Sequence, residues 1–436
     1  MKKIIIVLSF GLFSFFNAKP AFIHGLSYSE MQNKLAEIFT RFTDKNEGTT
    51  SFRTLLIPFG GRAESLGNAY TGLSDDLSFF IYNPAASSIQ KETQFGVFHN
   101  AWIADSNYET IAFTTRKNDL GIGFQASCFY VPFTEYNIFG DRTSGSYYTE
   151  TTAALNISYN FFNGYDFKGL ALGANLKASW RGVPNYTDND TNQIISSSGL
   201  SQSALGIMAD IGVLLRFNFL KFYNSREPNV KIGISARNLG VAITGFKSKT
   251  GIKLDDSLPT IFAAGISVTF IEPVTVSIDF KQPIDFAAIT TYLLPSISAG
   301  VSVNFTNFLS VLAGFELKGG NPRISAGAEV QFSKVRLNLN YTLDLSTSFA
   351  PANRFSISSK ILLGDKGRSK IDKEVDYYYM KGLEYYSDNN WEEAIVQWEQ
   401  ALKLNKRFDP AILGINSAKA QIQMFKNIKE SLLLEP

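Results

Sequence analysis

Cysteine and histidine are nearly missing from this chain. One cysteine, Cys128, among 436 residues rules out an internal disulfide. Two histidines, His24 and His99, leave almost no room for a His/Cys metal site. A serine hydrolase would have to use one of those two as its base, and His99 sits in the strand-like run FGVFHNAW, where a structural role is the plainer reading. Charge is scarce too, at 18% against the usual quarter. With 41 basic and 39 acidic residues the net charge is +2, too balanced for a nucleic-acid binder. Beyond the N-terminus there is no run of the ~20 apolar residues that a membrane-crossing helix requires. No phosphate loop, CxxC or paired-carboxylate frame is present. Gly121-Ile122-Gly123-Phe124-Gln125-Ala126 imitates a dinucleotide loop but lies inside a strand pattern with no helix after it. The chain reads as a non-enzyme with no cofactor and no metal.

Aromatic residues are plentiful, with 37 Phe and 19 Tyr. The stretch VRLNLNYTLDL, 335–345, shows how they and the aliphatics are arranged. Val335, Leu337, Leu339, Tyr341, Leu343 and Leu345 alternate with Arg336, Asn338, Asn340, Thr342 and Asp344. A period of two makes a β-strand with one apolar and one polar face. In a soluble sheet the apolar face turns into a core; in a membrane barrel it faces lipid and the polar face lines a lumen.

Fourteen such runs follow one another: 93–103, 108–117, 119–131, 147–161, 167–181, 203–218, 229–238, 259–270, 273–281, 295–305, 308–318, 323–332, 335–345 and 354–363. They exceed the usual ~5–6 residues of soluble strands. Eleven residues rising about 3.3 Å each, tilted about 45°, project to about 26 Å, close to the ~25 Å apolar band of a membrane barrel. The links sort as well. Those at 132–146, 182–202, 239–258 and 282–294 are long, whereas Asn118, Asn163-Gly164, Ile271-Glu272, Thr306-Asn307 and Ser333-Lys334 mark tight turns. Long links alternating with tight ones are the habit of outer-membrane barrels, and an even strand count puts both barrel ends in the periplasm. On this reading Lys177, Arg181, Arg336 and Asp344 face the lumen, since a Lys or Arg toward mid-bilayer costs ~2–4 kcal/mol. Leu339→Arg is then expected to lose the barrel and Asn340→Arg to be tolerated.

The N-terminus pairs Lys2 and Lys3 with an apolar run from Ile4 to Phe16, then Asn17-Ala18. This reads as a secretory signal over 1–21, with its cleavage site poorly defined and an uncleaved anchor left open. Residues 22–58 read as a periplasmic lead-in. Within it, 29–42 carries Met31, Leu35, Ile38, Phe39 and Phe42 near helical spacing, either an amphipathic helix or a disordered stretch.

Before the first strand lies FGGRAESLGNAYTGLSDDLSFFIYNPAASSI, 59–89. Gly67, Ala69 and Tyr70 are followed by Asp75-Asp76, then by Asn83-Pro84-Ala85. This order resembles the segment that precedes the first barrel strand in the FadL-like long-chain fatty-acid transporters and their PorV relatives. The resemblance implies a hatch, a plug folded into a fourteen-stranded barrel, here over 59–92. It also implies passive uptake of hydrophobic small molecules such as long-chain fatty acids across a bacterial outer membrane. A PorV-like barrel that docks secreted or periplasmic proteins is the alternative. In the family a kinked third strand opens a side gap, and Pro132 is either such a break or a turn-edge proline. The residues agree with a plug: Gly60, Gly61, Gly67 and Gly72 allow irregular backbone, and Pro84 suits no wall strand. Asp75-Asp76 is read as a cap or turn rather than a cation site.

The barrel is assigned to 93–364, and from 365 the composition changes. Residues 365–374 read as a charged linker, and 375–436 as helical. Tyr378, Gly382, Tyr385, Trp391, Ala394, Trp398 and Ala401 resemble one tetratricopeptide repeat, with small residues where two helices approach and aromatics between them. Lys381 and the late Pro410 depart from the pattern. The resemblance implies binding of a periplasmic protein through 375–430; a structural cap is the other reading. The whole is expected to be mainly β: a fourteen-stranded antiparallel transmembrane barrel with an N-terminal plug and a small C-terminal helical repeat domain.

Overall fold

A computed structural model describes residues 50–433 except 104, 137–138, 166, 189–190, 192, 224, 226, 247–250, 289–292, 319–320 and 346–351. The signal-like 1–21 and the candidate helix at 29–42 lie outside the described residues. Fourteen long strands form the wall: β1 Gln94–Ala101, β2 Asn107–Lys117, β3 Leu120–Tyr136, β4 Arg142–Phe161, β5 Phe167–Gly182, β6 Ala204–Phe217 and β7 Val230–Thr244. The circuit continues through β8 Thr260–Ile271, β9 Val274–Ile284, β10 Ser296–Asn304, β11 Leu309–Lys318, β12 Asn321–Phe332, β13 Val335–Asp344 and β14 Ala352–Leu362. Each pairs antiparallel with the next, and β14 pairs with β1 from Gln94↔Leu362 to Ala101↔Phe355. The ladder is closed, so within the wall every strand is paired on both sides. The two-residue strand Lys253–Leu254 only extends β7.

Side-chain direction follows the alternation. On β13, Leu337, Leu339 and Tyr341 point out while Asn338, Asn340 and Thr342 point in; Leu339 is 47% exposed and Asn340 1%. The same holds for Ile278 and Phe280 against Ser277 and Asp279 on β9. The barrel is thus inverted relative to a soluble sheet, apolar outside and polar inside.

The wall matches the fourteen expected runs, with extensions at one end. The stretch 132–146, expected as a link, is largely a hairpin that carries β3 and β4 past the wall. Its sequence there, around Arg142 to Tyr147, lacks an apolar face because neither side of the hairpin is covered, so alternation gives no signal. Pro132 sits within that ladder opposite Tyr147. The β2 ladder ends at Asn107↔Tyr130, so β3 beyond it has one bare edge, where proline is tolerated. The β2–β3 pairing is continuous over Asn107–Lys117, so Pro132 opens no side gap.

Tight turns such as 118–119, 272–273 and 333–334 gather at one end of the wall. At that end sit three of the helices, α3 Arg368–Ser387, α4 Trp391–Leu404 and α5 Asp409–Leu433; shorter helices α1 Arg62–Ser65 and α2 Ser198–Gln202 occur earlier. Helix α3 starts inside the expected linker 365–374. Gly364 and Gly367 carry positive φ and break the chain away from β14. Asp365 then accepts from the backbone N–H of Gly367 (3.0 Å) and Ser369 (2.7 Å), so the helix begins seven residues early. Among the described residues no helix is long and apolar enough to cross a membrane.

Candidate functional site

The barrel interior is filled by residues 50–93 of the same chain. Local chemistry shapes that segment. Asp76 caps a short helical turn, Leu77–Ile81, by accepting from Ser78 N–H (2.8 Å). Asn83 does the same for Pro84–Ile89 through Ala85 N–H (3.1 Å), with Pro84 at the first helical position, where its missing donor costs nothing. Ala69, Tyr70 and Ala85 are fully buried. The segment begins earlier than 59. Residues 50–58, assigned from sequence to the periplasmic lead-in, lie inside the wall at the long-link end, because Phe52 packs among Ala204, Met208, Ala242 and Leu258.

The wall meets this segment with glycine. In seven strands an inward position is glycine just where the segment lies against the wall. A Cβ on Gly314 of β11 would fall 1.9 Å from Gly67 N, one on Gly233 of β7 2.1 Å from Thr71 O, and one on Gly173 of β5 2.3 Å from Pro84 O. Gly121 and Gly300 meet the backbone of Ser87 and Leu66 in the same way, and Gly212 and Gly327 meet the side chains of Asn83 and Ser65. Gly121 belongs to the run that imitates a dinucleotide loop; its real neighbour is the backbone at Ser87. Glycine weakens a strand, so its use marks a close backbone approach.

Polar side chains of the wall then hold the segment's main chain. Asp279 Oδ2 accepts from Tyr70 N–H (2.8 Å) and Thr71 N–H (2.7 Å). Asn175 donates to Phe80 O (2.8 Å), Asn156 to Pro84 O (2.9 Å) and Ser235 to Tyr82 O (2.7 Å). Charge completes the fastening. Lys360 pairs with Asp76, and Arg62 bridges Asp75 (3.1 Å) and Glu329 (3.2 Å). Toward the long-link end, Arg354, Asp344, Arg323, Glu316 and Lys281 alternate in sign around the wall at 2.6, 2.7, 3.6 and 3.2 Å. Arg354 also reaches Glu64 of the segment (3.6 Å) and stacks 4.1 Å over Trp102. Charges this deeply buried are tolerated because each has an opposite partner.

All four residues expected to face the lumen point inward. Lys177 pairs with Asp210 (2.7 Å), Arg181 with Asp255 (2.8 Å), and Asp344 sits in the alternating ladder. Arg336 donates to Gln331 (2.8 Å). Sequence reasoning missed Glu64, Arg354 and Lys360, although Lys360 and Arg354 lie on the polar phase of β14 and that phase was the available signal. His99 turns outward and lies 2.7 Å from Glu109, away from the interior.

Between segment and wall, toward the long-link end, lies a cavity of about 60 Å³. Leu55, Ile57, Ile81 and Ile261 give it aliphatic sides; Lys177, Arg237, Lys281 and Arg323 give it cationic ones. Glu316 also borders it and pairs with Lys281 and Arg323.

In the tail, α3 and α4 pack closely because Gly382 faces Trp398: a Cβ there would fall 2.3 Å from Trp398 Nε1. Trp398 is buried between Ala394 and Ala401 and donates to Tyr379 O (3.1 Å). Tyr378, Tyr385 and Trp391 pack half-buried around it. Tyr165, in the β4–β5 turn, stacks edge-on against Phe408 (5.1 Å) and takes its N–H to Asp409 (3.1 Å), fixing the tail to the tight-turn end.

These features define a class: a closed fourteen-stranded barrel, apolar outside, filled by its own N-terminal segment. The model of an uncharacterised protein family, UPF0164, matches residues 14–366, and the chain belongs to that family. Two UPF0164 proteins of Treponema pallidum (strain Nichols) are 27% and 28% identical, covering 88% and 87% of this chain and 86% and 78% of theirs. Among solved structures, a TodX monoaromatic hydrocarbon channel mutant is similar at 14% identity and a TM-score of 0.42, over 66% of this chain and 93% of that one. The Acinetobacter baumannii outer membrane protein Omp33 is similar at 7% identity and a TM-score of 0.33, over 63% and 98%.

Proposed function

We propose that the protein is a bacterial outer-membrane channel for hydrophobic small molecules, long-chain fatty acids being the example its hatch-like motif suggests. The observation that carries this is the inverted wall, Leu339 outside and Asn340 inside, repeated strand after strand around a closed ladder. Water has no use for such an exterior; hydrocarbon does.

The interior segment acts as the plug. Its hydrogen bonds and ion pairs to the wall can be replaced by water as the segment shifts, and its apolar contacts, such as Phe59 and Leu77 in one cluster with Phe98, Tyr108 and Phe129, set the cost of that shift. The cationic and aliphatic cavity is the first docking point for a ligand's anionic end. Displacement of the plug enlarges that cavity and opens the path to the periplasm. The tail stands on the periplasmic side, where its helices, resembling one tetratricopeptide repeat, offer residues 375–430 to a partner protein.

Ser87 of the segment and Ser158 of β4 have their Oγ atoms 2.6 Å apart, which places a lock. Ser87→Cys with Ser158→Cys, in a Cys128→Ser background, is expected to oxidise to a disulfide that pins the plug. Fatty-acid flux into liposomes should stop when the pair is oxidised and return on reduction. Equal flux in both states would overturn the plug reading.

A second reading, a PorV-like docking barrel, is favoured by the tail's fixed seat on the rim. Periplasmic proteins that co-purify only when residues 375–430 are present, from a barrel that moves no fatty acid, would support it instead.

A further inference from the structure

At the tight-turn end, below the interior segment, a cleft of about 450 Å³ separates the barrel mouth from the tail. Three arginines from three different elements line it: Arg116 of β2, Arg216 of β6 and Arg368 at the start of α3. Arg116 is within electrostatic reach of both others. Their hydrogen bonds go to main-chain oxygens. Arg116 donates to Asn118 O, Arg368 to the carbonyls of Arg116, Gln90 and Lys91, and Arg216 to Lys168 O (2.6 Å). Arg216 is only 7% exposed, and its Nε has no hydrogen-bond partner.

Four carboxylates border the cleft too, and Asp119, Glu227 and Asp372 act electrostatically on Arg116, Asp119 and Glu227 on Arg216, and Asp365 and Asp372 on Arg368. Glu227 pairs with Lys91 (3.3 Å), Asp119 accepts from Asn163 (2.9 Å) and Asp365 holds the start of α3. Asp372 also borders the cleft. With Lys91 and Lys168 the lining carries five cations against those four carboxylates, an excess of positive charge in a half-buried space that an added anion would offset. A carboxylate has two oxygens and a single charge, which one guanidinium satisfies. Three guanidiniums suit a tetrahedral group with more oxygens and up to two charges. Ile89, Val375 and Phe408 add an apolar floor beside the arginines.

We propose that this cleft binds a phosphate group, free or carried on a lipid headgroup. The site is separate from the cavity at the long-link end and does not depend on what the channel carries. It also touches both sides of a joint. Arg368 grips the carbonyls of Gln90 and Lys91, where the interior segment leaves the lumen, so an anion that recruits Arg368 bears on both the tail and the plug.

The test uses the full chain in a phosphate-free detergent. Inorganic phosphate and dihexanoyl phosphatidate are titrated separately, with hexanoate as the carboxylate control. Saturable binding of either phosphate compound is expected, weakened about tenfold or more by Arg216→Gln and by Arg116→Gln. The tighter of the two identifies the source, free anion or headgroup. Arg407→Gln, on the exposed tail surface, should change nothing. Heat-modifiable gel migration confirms that each variant keeps its barrel, and Arg368→Gln, outside the wall, replaces either one that does not. No saturable binding of both phosphate compounds, binding indifferent to the arginine variants, or equal binding of hexanoate would overturn the proposal. Each of these outcomes is independent of fatty-acid flux.

Discussion

At the scale of single residues, direction decides everything. Leu339 faces outward and Asn340 inward, one residue apart. Leu339→Arg should destabilise the barrel by ~2–4 kcal/mol if hydrocarbon covers that face, whereas Leu339→Phe should keep it. Heat-modifiable migration of refolded protein reads the difference, and equal folding of the two would remove the lipid-facing assignment. The companion expectation, that Asn340→Arg is harmless, fails on the structure. Asn340 is fully buried and donates to Thr342 and Ser356 (3.1 and 3.2 Å), so the polar face here is packed rather than wet and leaves no room for arginine. Lys360 makes the complementary case. It is wholly buried against Asp76 and Glu329. Lys360→Met removes the cation paired with Asp76, while Glu329 keeps Arg62, and should cost about 3–5 kcal/mol, seen as a lower urea midpoint for barrel unfolding in detergent.

At the scale of elements, the interior segment and the wall are built for each other. Gly314 has room for no side chain, since a Cβ would fall on Gly67 N. Gly314→Leu leaves β11's own backbone unstrained, so the strand can form while the segment is pushed off the wall. Planar-bilayer recordings should show larger and noisier conductance than the parent; an unchanged trace would mean that the segment does not block the lumen. The tail hairpin obeys the same rule of small against large. Trp398→Ala empties the centre of its core and should cost about 3–5 kcal/mol, melting the helical signal near 222 nm while the barrel's gel shift persists.

At the scale of the whole molecule, the barrel has two unlike ends. The alternating ladder from Arg354 to Lys281 lies toward the long links, with the cavity nearby; the three-arginine cleft and the tail lie at the tight turns. The interior segment runs between them, fastened along its length by wall groups from many strands. On the proposed reading, a ligand entering at one end and an anion or partner bound at the other would act on one connected segment, which would couple capture to release.

Much of this was legible beforehand. Alternation over 335–345 told which side of β13 was apolar, and the same period counted fourteen strands, because a strand's two faces are written in neighbouring residues. The spacing of Gly382, Ala394, Trp398 and Ala401 marked the helical pair for the same reason: contacts within a hairpin are local in sequence. The interior segment's extent, its glycine track and its charge partners were not legible. Glu64 and Arg354, or Gly67 and Phe315, lie hundreds of residues apart and meet only once the ladder has closed and its register is set. The sequence alone therefore determined a barrel with one apolar and one polar surface. Only closure decided what the polar surface holds, because register around a ring, not local pattern, brings those groups together.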